Sequence, residues 1–215
     1  MMSKGAIAVR VIAGAARGRA LKAVPGTGTR PTTDKVKEAI FSMIGPYFEG
    51  GTALDLFAGT GGLGIEAWSR GIERVIFVDK EKISLDVIRQ NVRTAGAESA
   101  AEIYRNDAER ALKALAKREL KFSLVFLDPP YRMTNMDELM AELAAKGMLE
   151  EEARIVVEHD ASHRYPEELA GFEHIKTAKY GDTAVTIYRY HGMDDETSSI
   201  GDTDAMNRSE MDVNE

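Results

Sequence analysis

The chain has 215 residues, 44% hydrophobic and 29% charged, with no cysteine and a formal net charge of −7. That composition fits one soluble globular domain with at most an appendage, and it excludes disulfides, thiolate metal sites and a thiol nucleophile. No apolar run approaches the ~20 residues needed to span a bilayer, so no membrane role is expected.

Charge is unevenly spread: residues 1–40 carry +6 and residues 193–215 carry −7. The leading segment AIAVRVIAG is short for a secretory leader and is broken by Arg10, so a cytoplasmic protein is expected. AIAVRVIAG, AARG and RALKAV predict a β-hairpin with a glycine-containing turn. Arg10, Arg17, Arg19 and Lys22 on it, with Arg30 in the loop PGTGTRP, make a basic arm over residues 1–30. Such an arm suits a polyanionic partner or is simply a solvated hairpin. A helix follows, opened by Thr32 or Thr33 with Asp34 in its first turn. Val36, Ala39, Ile40, Met43, Ile44 and Tyr47 recur at helical spacing as its apolar stripe.

From Thr52 onward, apolar runs alternate with amphipathic segments. TALDLFAG, RVIFVD, AEIYRND, FSLVFLD and ARIVVEH read as strands, separated by LGIEAWSR, KISLDVIRQNVRTA, AERALKALAKR and MDELMAELAAK as helices. This pattern predicts βαβ units and a parallel sheet. FEHIKTAKYG and TAVTIYRYH are joined by a turn too short for a crossover, so they must pair antiparallel. The expected fold is α/β: an open, mostly parallel, seven-stranded sheet with an antiparallel terminal hairpin, over residues 31–192. Residues 193–215 are acidic and poor in large apolar side chains, which predicts a disordered tail. His159, His163, His174 and His191 show no metal-motif spacing, and no metal site is expected.

LDLFAGTGGLG places Gly59, Gly61 and Gly64 in G-x-G-x-x-G spacing between a strand and a helix. Such glycines allow a tight turn and let a ligand approach the backbone at a helix N-terminus. Asp79, 20 residues after Gly59 at the end of the next strand, is placed to hold ribose hydroxyls. Asp55, Asp79, Asp107 and Asp128 all fall at or near the ends of successive predicted strands, and no Lys or Arg lies in the glycine loop. Four carboxylates would repel the two phosphates of a dinucleotide. S-adenosylmethionine has no phosphate and carries a sulfonium, an ammonium and two ribose hydroxyls, which carboxylates serve. Asp55 suits the ammonium or the loop itself. Asp107 suits the adenine amino group, or caps the following helix.

DLFAGTGGLG together with DPPY resembles the class I, Rossmann-like S-adenosylmethionine-dependent methyltransferases. In that fold a terminal hairpin inserts an antiparallel strand, as inferred above. The tip Asp128–Pro129–Pro130–Tyr131 then has a chemical reading. Two prolines fix φ near about −65° and remove backbone donors, leaving a stiff rim of acceptors. Acceptors on both hydrogens of a ring-conjugated amino group favour a pyramidal nitrogen with its lone pair aimed at the methyl, and Tyr131 can stack on the ring. The absent cysteine closes the thiol-dependent route to pyrimidine C5. An Asp/Asn-Pro-Pro-aromatic tip resembles enzymes acting on adenine N6, guanine N2 or a protein glutamine amide.

VIAGAARGRALKAVPGTGTRPTTDKVKEAIFSMI, running into LDLFAGTGGLGIEAWSRG and FLDPPY, resembles the RsmD family over roughly residues 7–190. RPTTDKVKEAIF is the family-specific piece. Nothing in the sequence suggests an obligate dimer, so a monomer is expected; the resemblance implies methylation of guanine N2 in 16S ribosomal RNA with S-adenosylmethionine, on an assembled small-subunit particle. It further implies that Arg10, Arg17, Arg19, Lys22 and Arg30 hold RNA phosphates, and that Arg30, Thr32 and Thr33 close over the cofactor. Where the family pattern often has Glu, this chain has Asp79. A dinucleotide oxidoreductase and a non-catalytic RNA-binding module are the readings of a different class.

Overall fold

The buried runs and amphipathic segments become strands and helices as their periods dictate. The computed structural model of the chain describes residues 9–25, 33–130 and 132–192. In chain order these form β1 (Val9–Arg10), β2 (Ala20–Leu21), α1 (Asp34–Ile44), β3 (Thr52–Asp55), α2 (Gly62–Ser69), β4 (Arg74–Asp79), α3 (Lys82–Ala95) and β5 (Ala101–Arg105). There follow α4 (Ala108–Ala116), β6 (Phe122–Leu127), α5 (Met136–Ala145), β7 (Leu149–Asp160), β8 (Glu168–Leu169), β9 (Phe172–Tyr180) and β10 (Thr183–Tyr190).

The main sheet has the order β5-β4-β3-β6-β7-β10-β9-β8. β3 to β7 run parallel, and β10 is antiparallel to both β7 and β9. The sheet therefore has eight strands rather than seven. The addition is β8, which pairs Leu169 with Phe172 and Glu168 with Glu173 across a turn at Gly171 (φ 79°). Two residues are too few to leave a periodicity signal. The strand order reverses between β3 and β6, and ligands bind in such a crevice at the carboxyl ends of the strands.

Alternation along each strand gives the sheet two buried faces. Ala53, Phe126 and Val156 face α1, α2 and α3 in one cluster, and Leu54, Leu127 and Val157 face α4 and α5 in the other. Val9, Val11, Ala16 and Leu21 belong to the first cluster, so the N-terminal hairpin is built into the core of the helical layer. In α1, Val36, Ile40 and Ile44 are buried as their spacing predicts, and Ala39 and Met43 are half-buried. Tyr47 departs from the stripe: the helix ends at Ile44, before Gly45 (φ 121°), and Tyr47 is 65% exposed.

Periodicity did not reveal that Lys37 is buried beside Phe41. Glu66 of α2, wholly buried, takes Ile12 N–H at 2.8 Å, Ala13 N–H at 3.0 Å and Arg70 Nε at 2.8 Å. Lys37 Nζ lies 3.2 Å from Glu66 Oε2 and donates to Arg10 O. Arg70 donates to Pro46 O at 3.0 Å, and its guanidinium lies 4.6 Å from the centroid of the Phe41 ring. Burial pulls Lys37 below the usual lysine range, and Glu66 opposes that pull. This cluster fastens the hairpin to α1 and α2.

Candidate active site

The chain leaves β3 into a turn that only glycine tolerates well. Gly59 and Gly61 have φ of 52° and 75°, in the left-handed region. Ala58 N donates to Val78 O at 2.9 Å and Gly61 N to Ala58 O at 2.6 Å, which folds the loop back over the sheet edge. The three glycines serve different ends. A Cβ on Gly59 would meet only Phe57 O, at 4.0 Å, so this position opens onto the crevice. A Cβ on Gly64 would lie 2.4 Å from Phe77 Cε1, so Gly64 lets α2 pack against β4 rather than facing a ligand.

Asp79 ends β4, accepting from Gly59 N at 2.9 Å through Oδ2 and from Glu81 N at 2.8 Å through Oδ1. Each oxygen keeps a further lone pair. Asp55 is 2% exposed, and its Oδ2 accepts from Gly64 N at 3.1 Å. Burial pushes its carboxyl up to about 7, with Asp79 adding to the rise and the Gly64 N–H opposing it. Asp107 caps α4: its Oδ1 accepts from Arg110 N at 2.9 Å, and Arg110 Nε lies 3.4 Å from Oδ2. Thr33 caps α1 through Val36 N at 3.3 Å.

Across the crevice, β6 runs through Leu127 into Asp128, buried Pro129 and exposed Pro130, and Met133 N closes the turn on Pro130 O at 2.8 Å. Burial raises the Asp128 carboxyl well above the usual range, and Glu158 and Asp55 add to the rise. Glu158 was not foreseen as a site residue, although the run VVEH at the end of its strand carries the same signal as FLD. Behind Pro129, a cavity of about 10 Å³ is lined by Met133, Thr134, His159, Asp160, His163 and Tyr165. It has room for about one water, so it supports the tip and holds no base. Among the described residues no group of three or more His, Asp or Glu is placed to hold a metal ion.

The described part of the basic arm, residues 9–25, lies along α2. Ala15 N donates to Ser69 O at 2.8 Å, and Ala16 N to Ser69 Oγ at 2.9 Å. A Cβ on Gly14 (φ 80°) would fall 1.6 Å from Ser69 O, which makes glycine obligatory there. Arg17 and Arg19 are exposed beside the far end of α2, about one helix length (~10 Å) from the glycine loop. Exposed Lys22 is nearer: its backbone pairs with Asn91, whose Nδ2 also donates to Thr60 O at 2.9 Å. Arg10 is paired with Asp34 at 2.5 Å. Tyr131, Arg30, Thr32 and the acidic tail 193–215 lie outside the described residues.

Comparisons with known proteins identify relatives over most of the chain. The protein YlbH of Bacillus subtilis (strain 168) is 52% identical over 86% of this chain and 100% of its own length. Ribosomal RNA small subunit methyltransferase D of Escherichia coli (strain K12) is 32% identical over 84% of this chain and 89% of its own. The solved structure of yhhF from Escherichia coli, 31% identical, superposes with a TM-score of 0.73 over 86% of this chain and 99% of that one. The family model described as conserved hypothetical protein 95 matches residues 9–189, and the chain belongs to that family, the RsmD family that its glycine loop, Asp-Pro-Pro tip and N-terminal segment resemble.

Proposed function

We propose that this chain transfers a methyl group from S-adenosylmethionine to the exocyclic N2 of a guanine in small-subunit ribosomal RNA. The observation that carries the reading is the facing of the glycine loop after β3 and the Asp128–Pro129–Pro130 tip after β6 across the switch point of the sheet. The relative named ribosomal RNA small subunit methyltransferase D supplies the substrate class.

The residues fit the cofactor. Gly59 leaves the crevice open to it, and Asp79 has lone pairs left for ribose hydroxyls. Asp55, buried and raised to about 7, is relieved by an ammonium group beside it. Asp107 keeps accepting capacity for an adenine amino group while it caps α4. Gly61 shapes the loop and Gly64 seats the helix behind it. When bound, the cofactor supplies a methyl group activated by its sulfonium.

The chain's own contribution is positioning and electrostatics. Asp128 and the carbonyl groups of the proline rim accept the amine hydrogens, with Tyr131 stacking on the base. The amine proton leaves to Asp128 or to water as the N–C bond forms. Guanine N2 lies in the minor groove of a duplex, so the base must be unpaired or extruded. Arg17 and Arg19 then hold phosphates some nucleotides away from the target and Lys22 holds a nearer one, with Arg10 and Arg30 as further phosphate contacts in the same reading. A basic arm on an otherwise acidic chain suits docking on an assembled particle, and one chain supplies every proposed site residue, so a monomer suffices.

Mass spectrometry of small-subunit RNA from cells lacking the protein tests this. One guanine should lose a methyl group at N2, and an Asp128→Ala allele should fail to restore it, with turnover down about 100–1,000-fold and cofactor affinity nearly intact. An unchanged RNA, or full restoration by that allele, would sink the reading.

A further inference from the structure

Asp55, Asp128 and Glu158 share one face of the sheet. Each follows the alternation of Ala53, Phe126 and Val156, the residues that face α1, α2 and α3. Strands β6 and β7 are parallel with Leu127 beside Val157, so Asp128 and Glu158, one step further, are lateral neighbours about 5 Å apart along the backbone. Asp55 is level with Phe126, two residues deeper, and one of its oxygens is taken by Gly64 N–H. Glu158 is 7% exposed and held on a strand paired on both sides, with β6 and with β10. The rim of the crevice thus presents two carboxylates side by side, the second on a rigid element.

Two adjacent carboxylates repel each other, and a ligand edge carrying several donors in a row relieves that repulsion. Guanine has such an edge, N1–H beside the N2 amino group. Adenine and 2-aminopurine carry an amino group beside a bare N1 acceptor. Resting on the guanine-N2 reading above, we propose that Glu158 is a specificity-determining residue. It accepts N1–H of the extruded base while Asp128 accepts N2–H. A base without N1–H turns a lone pair toward the Glu158 carboxylate, which repels it, and that repulsion discriminates against the analogue.

The test uses small-subunit RNA carrying either guanine or 2-aminopurine at the mapped position. 2-Aminopurine keeps the reactive amino group but has a bare N1. Wild-type protein should prefer guanine by about 100-fold or more in kcat/KM. In Glu158→Gln the amide can donate to a bare N1, so that preference should shrink by about tenfold or more, with the circular-dichroism spectrum and cofactor affinity retained. An unchanged preference in the variant, or an equal loss on both bases, overturns the proposal. Equal methylation of both RNAs by wild-type protein overturns it without any variant, and leaves the methyltransferase reading standing. No transfer to guanine by wild-type protein removes that reading and this proposal together.

Discussion

Asp55, proposed above to meet the cofactor's ammonium group, carries a cost in the fold by itself. Its carboxyl sits at about 7, against an ordinary value of 3.8, mainly because it is buried. The folded state therefore holds a proton that the unfolded chain releases between about pH 4 and 7, and stability falls as pH rises through that window. Asp55→Asn removes the titration while the amide oxygen keeps the Gly64 N–H bond. At pH 8, without cofactor, the variant should be more stable by on the order of 2 kcal/mol, about 5 °C in melting temperature. The gap should close toward pH 4, and the variant should bind S-adenosylmethionine more weakly. Thermal melts across pH, paired with calorimetric titration of the cofactor, check both halves. Asp55, Asp79 and Asp128 were legible as strand-end acids. The cap that Asp107 makes on α4 was legible too, because its partner Arg110 N is only three residues on. That Gly64 packs on Phe77 and that Glu158 stands beside Asp128 depended on partners distant in sequence.

At the scale of elements, the hairpin is the unit that separates this chain from a bare methyltransferase sheet. Its apolar side joins the core through Val9, Val11, Ala16 and Leu21, and Arg17, Arg19 and Lys22 stay exposed. Because Ser69 holds the turn at the far end of α2, the two arginines are fixed in position relative to the crevice. Arg17→Glu with Arg19→Glu should weaken RNA binding, lower the dependence of log K on log salt by about 2, and leave cofactor affinity unchanged. Filter binding over a salt series measures this, and a slope equal to wild type would place the RNA elsewhere. The helices and long strands were readable from their periods. β8, at two residues, was not, and the early end of α1 left Tyr47 outside the stripe assigned to it.

For the molecule as a whole, the crevice depends on a buried ionic cluster that never touches it. Lys37, Glu66 and Arg70 join α1, α2 and the segment Arg10–Ala13, and α2 begins at the glycine loop. Lys37→Met removes one partner of a wholly buried pair, which typically costs about 3–5 kcal/mol. The melting temperature should fall by about 10 °C. RNA affinity should fall more than cofactor affinity, because the hairpin loses the anchor that Arg10 O provides. A melt together with both titrations decides it; a variant as stable as wild type would show the cluster to be dispensable.

The sequence by itself determined the class of fold, the glycine loop, the Asp-Pro-Pro tip and the charge of the arm, because each is written in local period, glycine spacing and composition. Only the tertiary structure decided which strands lie side by side, and with them three further points. Asp128 acquires Glu158 as a neighbour, Lys37 becomes a buried tether rather than a surface cation, and the arm is seated along α2. The physical reason is common to all three: they are set by pairs of residues 27 to 56 positions apart, whose meeting depends on sheet order and layer packing, and no window along the chain contains both partners.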